Sequence, residues 1–188
     1  LLGWVLGKLS PDRIPLLRGL EEMNIDDEAI KAICAAFGST SGAPMFHIAG
    51  HTPEAGMPSA PAAERVTINR EMLADAWQQL NSGGADIDLV AIGSPHLSLA
   101  ELHLIDAAFD GRHRHADVKL ILTIGRDVLD TARRDGVAAR LEASGATLYS
   151  DLCWCSITQP LFPPETKVLM TNSGKYAHYA TGLSGCQV

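Results

Sequence analysis

Basic residues are few in this chain. Fifteen Lys and Arg stand against 22 Asp and Glu, for a net charge of −7. Phosphate binding needs clustered cations, so this balance argues against a nucleic-acid partner. The one short basic stretch, Arg112-His-Arg-His115, reads as a solvated loop. No apolar run approaches the ~20 residues that span a bilayer. The opening Leu1-Leu-Gly-Trp-Val-Leu-Gly7 lacks the basic n-region and cleavage site of a signal peptide. The expectation is therefore a cytoplasmic protein away from membranes. Cysteine is scarce: Cys34, Cys153, Cys155 and Cys186 are too sparse for a disulfide framework in a chain long enough to fold without staples. Aromatic residues make up only 5% although 46% of the chain is hydrophobic. That combination excludes a disordered chain and points to a core packed from Ala, Leu, Val and Ile. An initiator Met and a polar tail are lacking as well, so the expectation is a piece of a longer polypeptide. At 188 residues it suits one domain.

The patterning alternates. Helical periodicity predicts helices over Ile25–Phe37, Asn69–Asn81, Ser98–Phe109, Arg126–Ala143 and, more briefly, Ser173–Tyr179. Short apolar runs predict strands at Met45–Ala49, Leu89–Ile92, Lys119–Thr123, Ala146–Tyr149 and Val168–Thr171. Asn69 is placed to cap one helix, and Ser98 with Glu101 completes a capping box. Pro58 and Pro61 mark the stretch Gly56–Glu64 as a loop, and Pro160, Pro163 and Pro164 do the same for Gln159–Glu165. Strands alternating with helices predict an α/β fold: a parallel sheet with helices on both faces, forming a single α/β domain over 1–188.

Each of four apolar runs ends in a compact polar cluster. His51-Thr-Pro-Glu-Ala55 follows the first, Ser94-Pro-His-Leu-Ser-Leu-Ala-Glu101 the second, Ser150-Asp-Leu-Cys-Trp-Cys155 the third and Asn172-Ser-Gly-Lys-Tyr-Ala-His-Tyr179 the fourth. The carboxyl ends of strands in an open α/β sheet are where ligands bind. The repeated pattern predicts that the strand ends at Gly50, Gly93, Ser150 and Thr171 gather on one edge. The fourth cluster is the densest, and Gly174 within it permits close approach of a ligand.

Other residues carry weaker signals. Cys34 lies in the amphipathic Asp27–Phe37 pattern and reads as a core thiol. Cys153 and Cys155 form C-x-C, which reaches one metal only from a loop, because on a strand the two side chains face opposite ways. His47 sits in an apolar run and reads as a core histidine. His103, His113 and His115 read as surface. His96 follows Pro95 in a turn, where a site role and a structural role fit equally. Glu54, after Thr52 and Pro53, suits either acid–base work or the start of a helical turn.

Four segments in register, Phe46-His-Ile-Ala-Gly-His-Thr-Pro-Glu-Ala55, Gly93-Ser-Pro-His-Leu-Ser-Leu-Ala-Glu101, Asp151-Leu-Cys153 and Thr171-Asn-Ser-Gly-Lys-Tyr-Ala-His-Tyr179, resemble the aconitase X family. The resemblance covers nearly the whole chain and implies the C-terminal part of a large subunit, or the equivalent part of a fused chain. It implies an aconitase-like α/β domain and an iron–sulfur hydro-lyase. The implied substrate is a small hydroxy acid, cis-3-hydroxy-L-proline in bacterial members or mevalonate 5-phosphate in archaeal ones. It also implies a small subunit, or a fused swivelling domain, that closes over the site. Cys153 occupies the cysteine of the family's Asp-Thr-Cys segment, with Leu152 in place of Thr, and is the implied metal ligand. Archaeal members often carry Cys where this chain has Ser94, which favours the hydroxyproline branch.

Removing water across Cα–Cβ needs a base, a Lewis acid or acid for the leaving hydroxide, and a carboxylate clamp. The expected catalytic residues are Glu54, His96, Ser173 and Lys175. Those expected to bind substrate are Thr52, Ser94, Asn172, Ser173, Lys175 and Tyr176, with Lys175 as the compact cation of the clamp. An alternative of another class is a non-catalytic α/β module that recognises an anionic metabolite at Asn172–Lys175 without iron.

Overall fold

The computed structural model describes residues 1–57 and 63–188. Pro58–Ala62, the middle of the loop expected over Gly56–Glu64, lie outside the described residues. The chain divides into two compact units, Leu1–Gln79 and Leu80–Val188, each with its own core. The sequence pattern led to an expectation of a single α/β domain over 1–188. The alternation of helix and strand runs through the boundary without a break, so the pattern alone does not mark it.

In the Leu1–Gln79 unit, α1 (Leu2–Leu9), α2 (Asp27–Phe37) and α3 (Arg70–Leu80, ending at the boundary) accompany a two-stranded parallel sheet. Its strands are β1 (Leu16–Leu17) and β2 (His47–Ile48). Glycines at positions 3 and 7 weaken α1 as a sequence signal, since each costs roughly 1 kcal/mol of helix propensity. The structure shows why they are there. A Cβ on Gly3 would sit 2.3 Å from the Ile33 carbonyl oxygen, and one on Gly7 2.1 Å from Thr40 Oγ1, so only glycine lets α1 lie against the α2 region. Leu6, Phe37, Phe46 and Ile48 form the core, with the two phenylalanine rings edge to face at 5.0 Å. Helix α2 turns Cys34 outward, so this thiol is exposed and not the core residue expected. Asp26, not Ile25, starts that helix, its carboxylate accepting from Ala29 N. Asn69 Oδ1 accepts from Met72 N as expected.

The Leu80–Val188 unit is a four-stranded all-parallel sheet in the order β5-β4-β3-β6. The strands are β3 (Leu89–Leu97), β4 (Lys119–Ile124), β5 (Ala146–Ser150) and β6 (Leu169–Met170). Alternate residues of β4 face opposite ways. Leu120, Leu122 and Ile124 pack with α4 (Leu99–Phe109), α5 (Arg126–Arg134) and α6 (Val137–Ala143). Ile121 packs on the other face with Leu89, Ala91, Leu169, Trp154 and α7 (Gly174–Ser184). Both faces are covered, as parallel sheets require. The capping box forms, with Glu101 N donating to Ser98 Oγ and Ser98 N to the Glu101 carboxylate.

Several element boundaries differ from expectation: α7, expected over Ser173–Tyr179, runs on to Ser184, and β2, expected over Met45–Ala49, is only His47–Ile48. The single helix expected over Arg126–Ala143 is two helices, because Gly136 takes φ 83° and Asp135 Oδ1 accepts from Val137 N to restart the chain. Strand β3 continues past Gly93 to Leu97, with three extra residues arching out between the pairs Ile92–Leu122 and Leu97–Ile124. The short basic stretch is a solvated loop, with Arg112, His113 and His115 exposed; Arg112 donates to the carbonyls of Ala108 and Phe109, and Arg114 to those of His115, Ala116, Val118 and Gly145.

Candidate active site

Strand β3 runs on to neighbouring β4, β4 on to β5, and the chain then crosses back to place β6 on the other side of β3. Between β3 and β6 the strand order reverses. In open parallel sheets that reversal leaves a crevice at the carboxyl ends, the usual ligand site. The polar segments flanking it are Gly93–His96 after the regular part of β3 and Thr171–Lys175 after β6. The segment after β5, Asp151–Cys155, joins the same edge.

The arch at Gly93 is built by close backbone contact. Gly93 has φ 113°, and a Cβ there would lie 2.3 Å from the Thr123 carbonyl oxygen and 2.4 Å from Thr123 Oγ1. Thr123 is fully buried and its hydroxyl donates to the Gly93 carbonyl at 2.7 Å. The next peptide, Ser94–Pro95, is cis, and Ser94 is buried. His96 is half-buried, and its Nε2 lies 2.9 Å from the Leu152 carbonyl oxygen. A carbonyl can only accept, so Nε2 carries the proton and acts as a donor to the 151–155 segment.

The thiols sit at the exit of β5. Cys153 is exposed and Cys155 half-buried, with Trp154 in a short 3-10 turn at Trp154–Ser156. Burial pushes the Cys155 thiol up, the neighbouring Cys153 adds to the rise, and the Lys175 ammonium opposes it. Both cysteines lie outside the strand, in the loop setting that the metal alternative requires. Lys175, half-buried on the first turn of α7, is close enough to act on Cys155 electrostatically. Asp151 is held below the ordinary carboxylate range, first by the Arg126 N–H and then by the Arg126 side chain.

At the start of α7, Ser173 is a buried N-cap whose Oγ accepts from Tyr176 N at 3.0 Å, while its own N–H donates to Thr171 Oγ1. Asn172 is exposed. Tyr176 is not the surface contact expected. It is 1% exposed, its ring stacks at 5.1 Å on Trp154, and burial raises its phenol pKa strongly. Helical phase explains this, since Tyr176 and Ala180, four residues apart, share the face of α7 that packs on the sheet.

Thr52 and Glu54 belong to the other unit. Thr52 Oγ1 accepts from Ile48 N at 3.0 Å and lies 3.2 Å from the Ile48 carbonyl it donates to, so its hydroxyl closes the turn after β2. Glu54 is exposed in a 3-10 turn at Pro53–Gly56, and His51 Nε2 bonds the Leu20 carbonyl at 2.9 Å. Gly50 follows β2 in that unit's own sheet, so three of the four expected strand ends share the edge described above. The Leu80–Val188 unit thus brings Ser94, His96, Cys153, Asn172, Ser173 and Lys175 to one edge of one sheet. Sequence reasoning passed over Asp151 and Cys155 as site residues. C-x-C directly after a strand was the available signal for Cys155; Asp151 stood in the Asp151-Leu-Cys153 segment, but its partner lies 25 residues away.

Comparison with known proteins agrees with this geometry. Residues 1–78 match the family model for the aconitase X second domain and residues 87–188 that for the aconitase X third domain, a division close to that of the two compact units. A cis-3-hydroxy-L-proline dehydratase of Pseudomonas aeruginosa is 45% identical, the match covering 100% of this chain and 33% of that protein. One of Hypocrea jecorina is 35% identical, covering 98% and 32%. A phosphomevalonate dehydratase large subunit of Methanocaldococcus jannaschii is 27% identical, covering 100% and 46%. The crystal structure of Thermococcus kodakaraensis aconitase X in its holo-form matches with a TM-score of 0.82 at 26% identity, over 97% of this chain and 46% of that one. The chain thus spans about a third of the length of the two hydroxyproline dehydratases. It belongs to the aconitase X family.

Proposed function

We propose that the complete protein is an iron-dependent hydro-lyase that removes water from cis-3-hydroxy-L-proline. One observation carries the reading: Cys153 and Cys155 after β5, and Lys175 on the first turn of α7 after β6, lie at the carboxyl edge of one parallel sheet. The relatives at 45% and 35% identity, both named as cis-3-hydroxy-L-proline dehydratases, support the choice of substrate.

The reaction takes a proton from Cα and hydroxide from the adjacent carbon. It leaves an enamine acid that tautomerises to a cyclic imine. Lys175 holds the substrate carboxylate, with the exposed Asn172 amide beside it as a neutral donor. The Ser173 oxygen already accepts from Tyr176 N, so it has its hydroxyl proton to offer. His96 orients the segment that carries the thiols, through its Nε2 proton.

The thiols suit iron: they are soft donors two residues apart after a strand, and one is open to solvent. Cys153 and Cys155 would hold it, as part of an iron–sulfur cluster. Among the described residues no group of three or more His, Cys, Asp and Glu converges, so the remaining ligands come from elsewhere in the complete protein. When bound, iron supplies Lewis acidity toward the leaving hydroxyl. The rest of the polypeptide, or a small subunit, closes over this edge. Four free thiols suit the reducing cytoplasm, and among the described residues no helix is long and apolar enough to cross a membrane.

The test is an assay of the full-length protein, purified without oxygen and supplied with ferrous iron and sulfide. Imine formed from cis-3-hydroxy-L-proline is trapped with o-aminobenzaldehyde. Turnover of that substrate and none of mevalonate 5-phosphate is expected. The reverse preference would overturn the assignment, and a colourless, inactive, iron-free protein would favour the metabolite-binding module.

A further inference from the structure

We infer that Asp151 is a positioning residue for the Cys153–Cys155 pair, fixing the direction in which the chain leaves β5. The inference rests on the reading of this pair as the ligand-holding thiols and assigns what holds them in place.

Asp151 is one of only two non-glycine residues with positive φ among those described, at 57°. Asp tolerates this left-handed conformation better than most side chains. Its carboxylate spans to the element after β4: one oxygen accepts from Arg126 N at 3.0 Å, the other from Arg126 Nε at 2.5 Å. Helix α5 has Gly125 as its N-cap and so no cap of its own. Asp151 supplies the missing acceptor from a different strand. Two more anchors follow within three residues. The Leu152 carbonyl accepts from His96 Nε2 at 2.9 Å, and Trp154 Nε1 donates to the Ile92 carbonyl at 3.2 Å.

The segment is thus pinned at 151, 152 and 154, to α5 and to both ends of the β3 arch, and the two thiols occupy the positions between and beyond the pins. Arg126 is largely exposed and Asp151 partly so. An ion pair in that setting contributes little to folding. What it controls is local: the left-handed turn, and hence whether the two sulfurs point to one place. Residues that orient metal ligands in this indirect way commonly change affinity without touching the metal.

The probe is phenylarsine oxide, which bridges two thiols already held close together. Its affinity is measured on the metal-free full-length protein, with the modified peptide identified by mass spectrometry. Three variants are compared: Asp151→Gly, which keeps the left-handed backbone and removes the carboxylate; Asp151→Asn, which keeps an acceptor for Arg126 N; and Arg126→Ala, which removes one leg and leaves the 151 backbone alone. Wild type is expected to bind one arsenical across Cys153 and Cys155. Asp151→Gly should weaken this by about tenfold or more, in the range typical of residues that orient metal ligands. Asp151→Asn should restore part of the loss, and Arg126→Ala should fall between Asn and wild type. The melting midpoint should stay within a few degrees throughout, which separates positioning from unfolding. If Asp151→Gly does not fold, the other two variants carry the test. Equal affinity in wild type and all folded variants would overturn the inference. Iron content is measured separately: an iron-free wild type with the arsenical ranking intact would defeat the iron reading and leave the positioning role standing.

Discussion

Replacing Gly93 with alanine tests how tightly β3 is built against β4. The backbone there holds φ 113°, and the added Cβ would meet three atoms of Thr123 at 2.3, 2.4 and 2.8 Å, two of them main chain. Main-chain atoms in the middle of a sheet cannot swing aside as a lysine tip can, so the strands must part. The cost has three sources: ~1–3 kcal/mol for a side chain in a glycine-only conformation, ~1–3 kcal/mol for overpacking, and ~1 kcal/mol for the stretched bond from the buried Thr123 hydroxyl to the Gly93 carbonyl. Together they come to about 3–7 kcal/mol, against a typical domain stability of about 5–15 kcal/mol. Because the chain has two units, a single unfolding midpoint would mix them. Amide hydrogen exchange in the β3 and β4 peptides reports the relevant opening directly. A loss of 3 kcal/mol or more should speed their exchange by at least about a hundredfold, each 1.4 kcal/mol being a factor of ten. Acceleration of less than about tenfold would mean that the arch is soft and that Gly93 is not its keystone.

Three further outcomes are expected. Lys175→Met should reduce the specificity constant for cis-3-hydroxy-L-proline at least about tenfold, since a charge-assisted bond contributes ~1.5–3 kcal/mol; steady-state kinetics showing no change would make Lys175 structural. Cys153→Ser in the full-length protein should abolish both iron content and activity, whereas Cys34→Ser, in the exposed thiol of α2, should leave both unchanged; full iron in the Cys153 variant would refute its role. Asp88 is held below the ordinary carboxylate range by the Val168 and Lys167 amides that donate to it at 2.9 and 2.8 Å. A depressed carboxylate stabilises the fold above its unfolded pKa and loses that contribution as pH falls through the folded one. Asp88→Asn should therefore be less stable than wild type at neutral pH, with the gap in urea midpoints closing below about pH 4; a gap independent of pH would contradict this.

Much of this protein was decided locally. Short apolar runs and period-3.6 hydrophobic patterns place β4 to β6 and α2 to α4 within a residue or two, because each element buries a face its own sequence defines. The Ser98–Glu101 capping box and the Asn69 cap were legible because their partners lie three residues away. The motif segments were sufficient to point to the family, and they put Ser94, His96, Cys153, Ser173 and Lys175 after strands. Only the tertiary structure decided the rest. Helix α1 exists because Gly3 and Gly7 meet the backbone of Ile33 and the side chain of Thr40, contacts to which propensity is blind. Division into two units depends on which apolar faces find each other, and it assigns Thr52 and Glu54 to one unit and Lys175 to the other. Tyr176 was drawn into the core by the phase of α7, which a strand-end motif does not report. Asp151 becomes legible only when the sheet order brings Arg126 to it, because the coupling of residues far apart in the chain is a property of topology and not of any window of sequence.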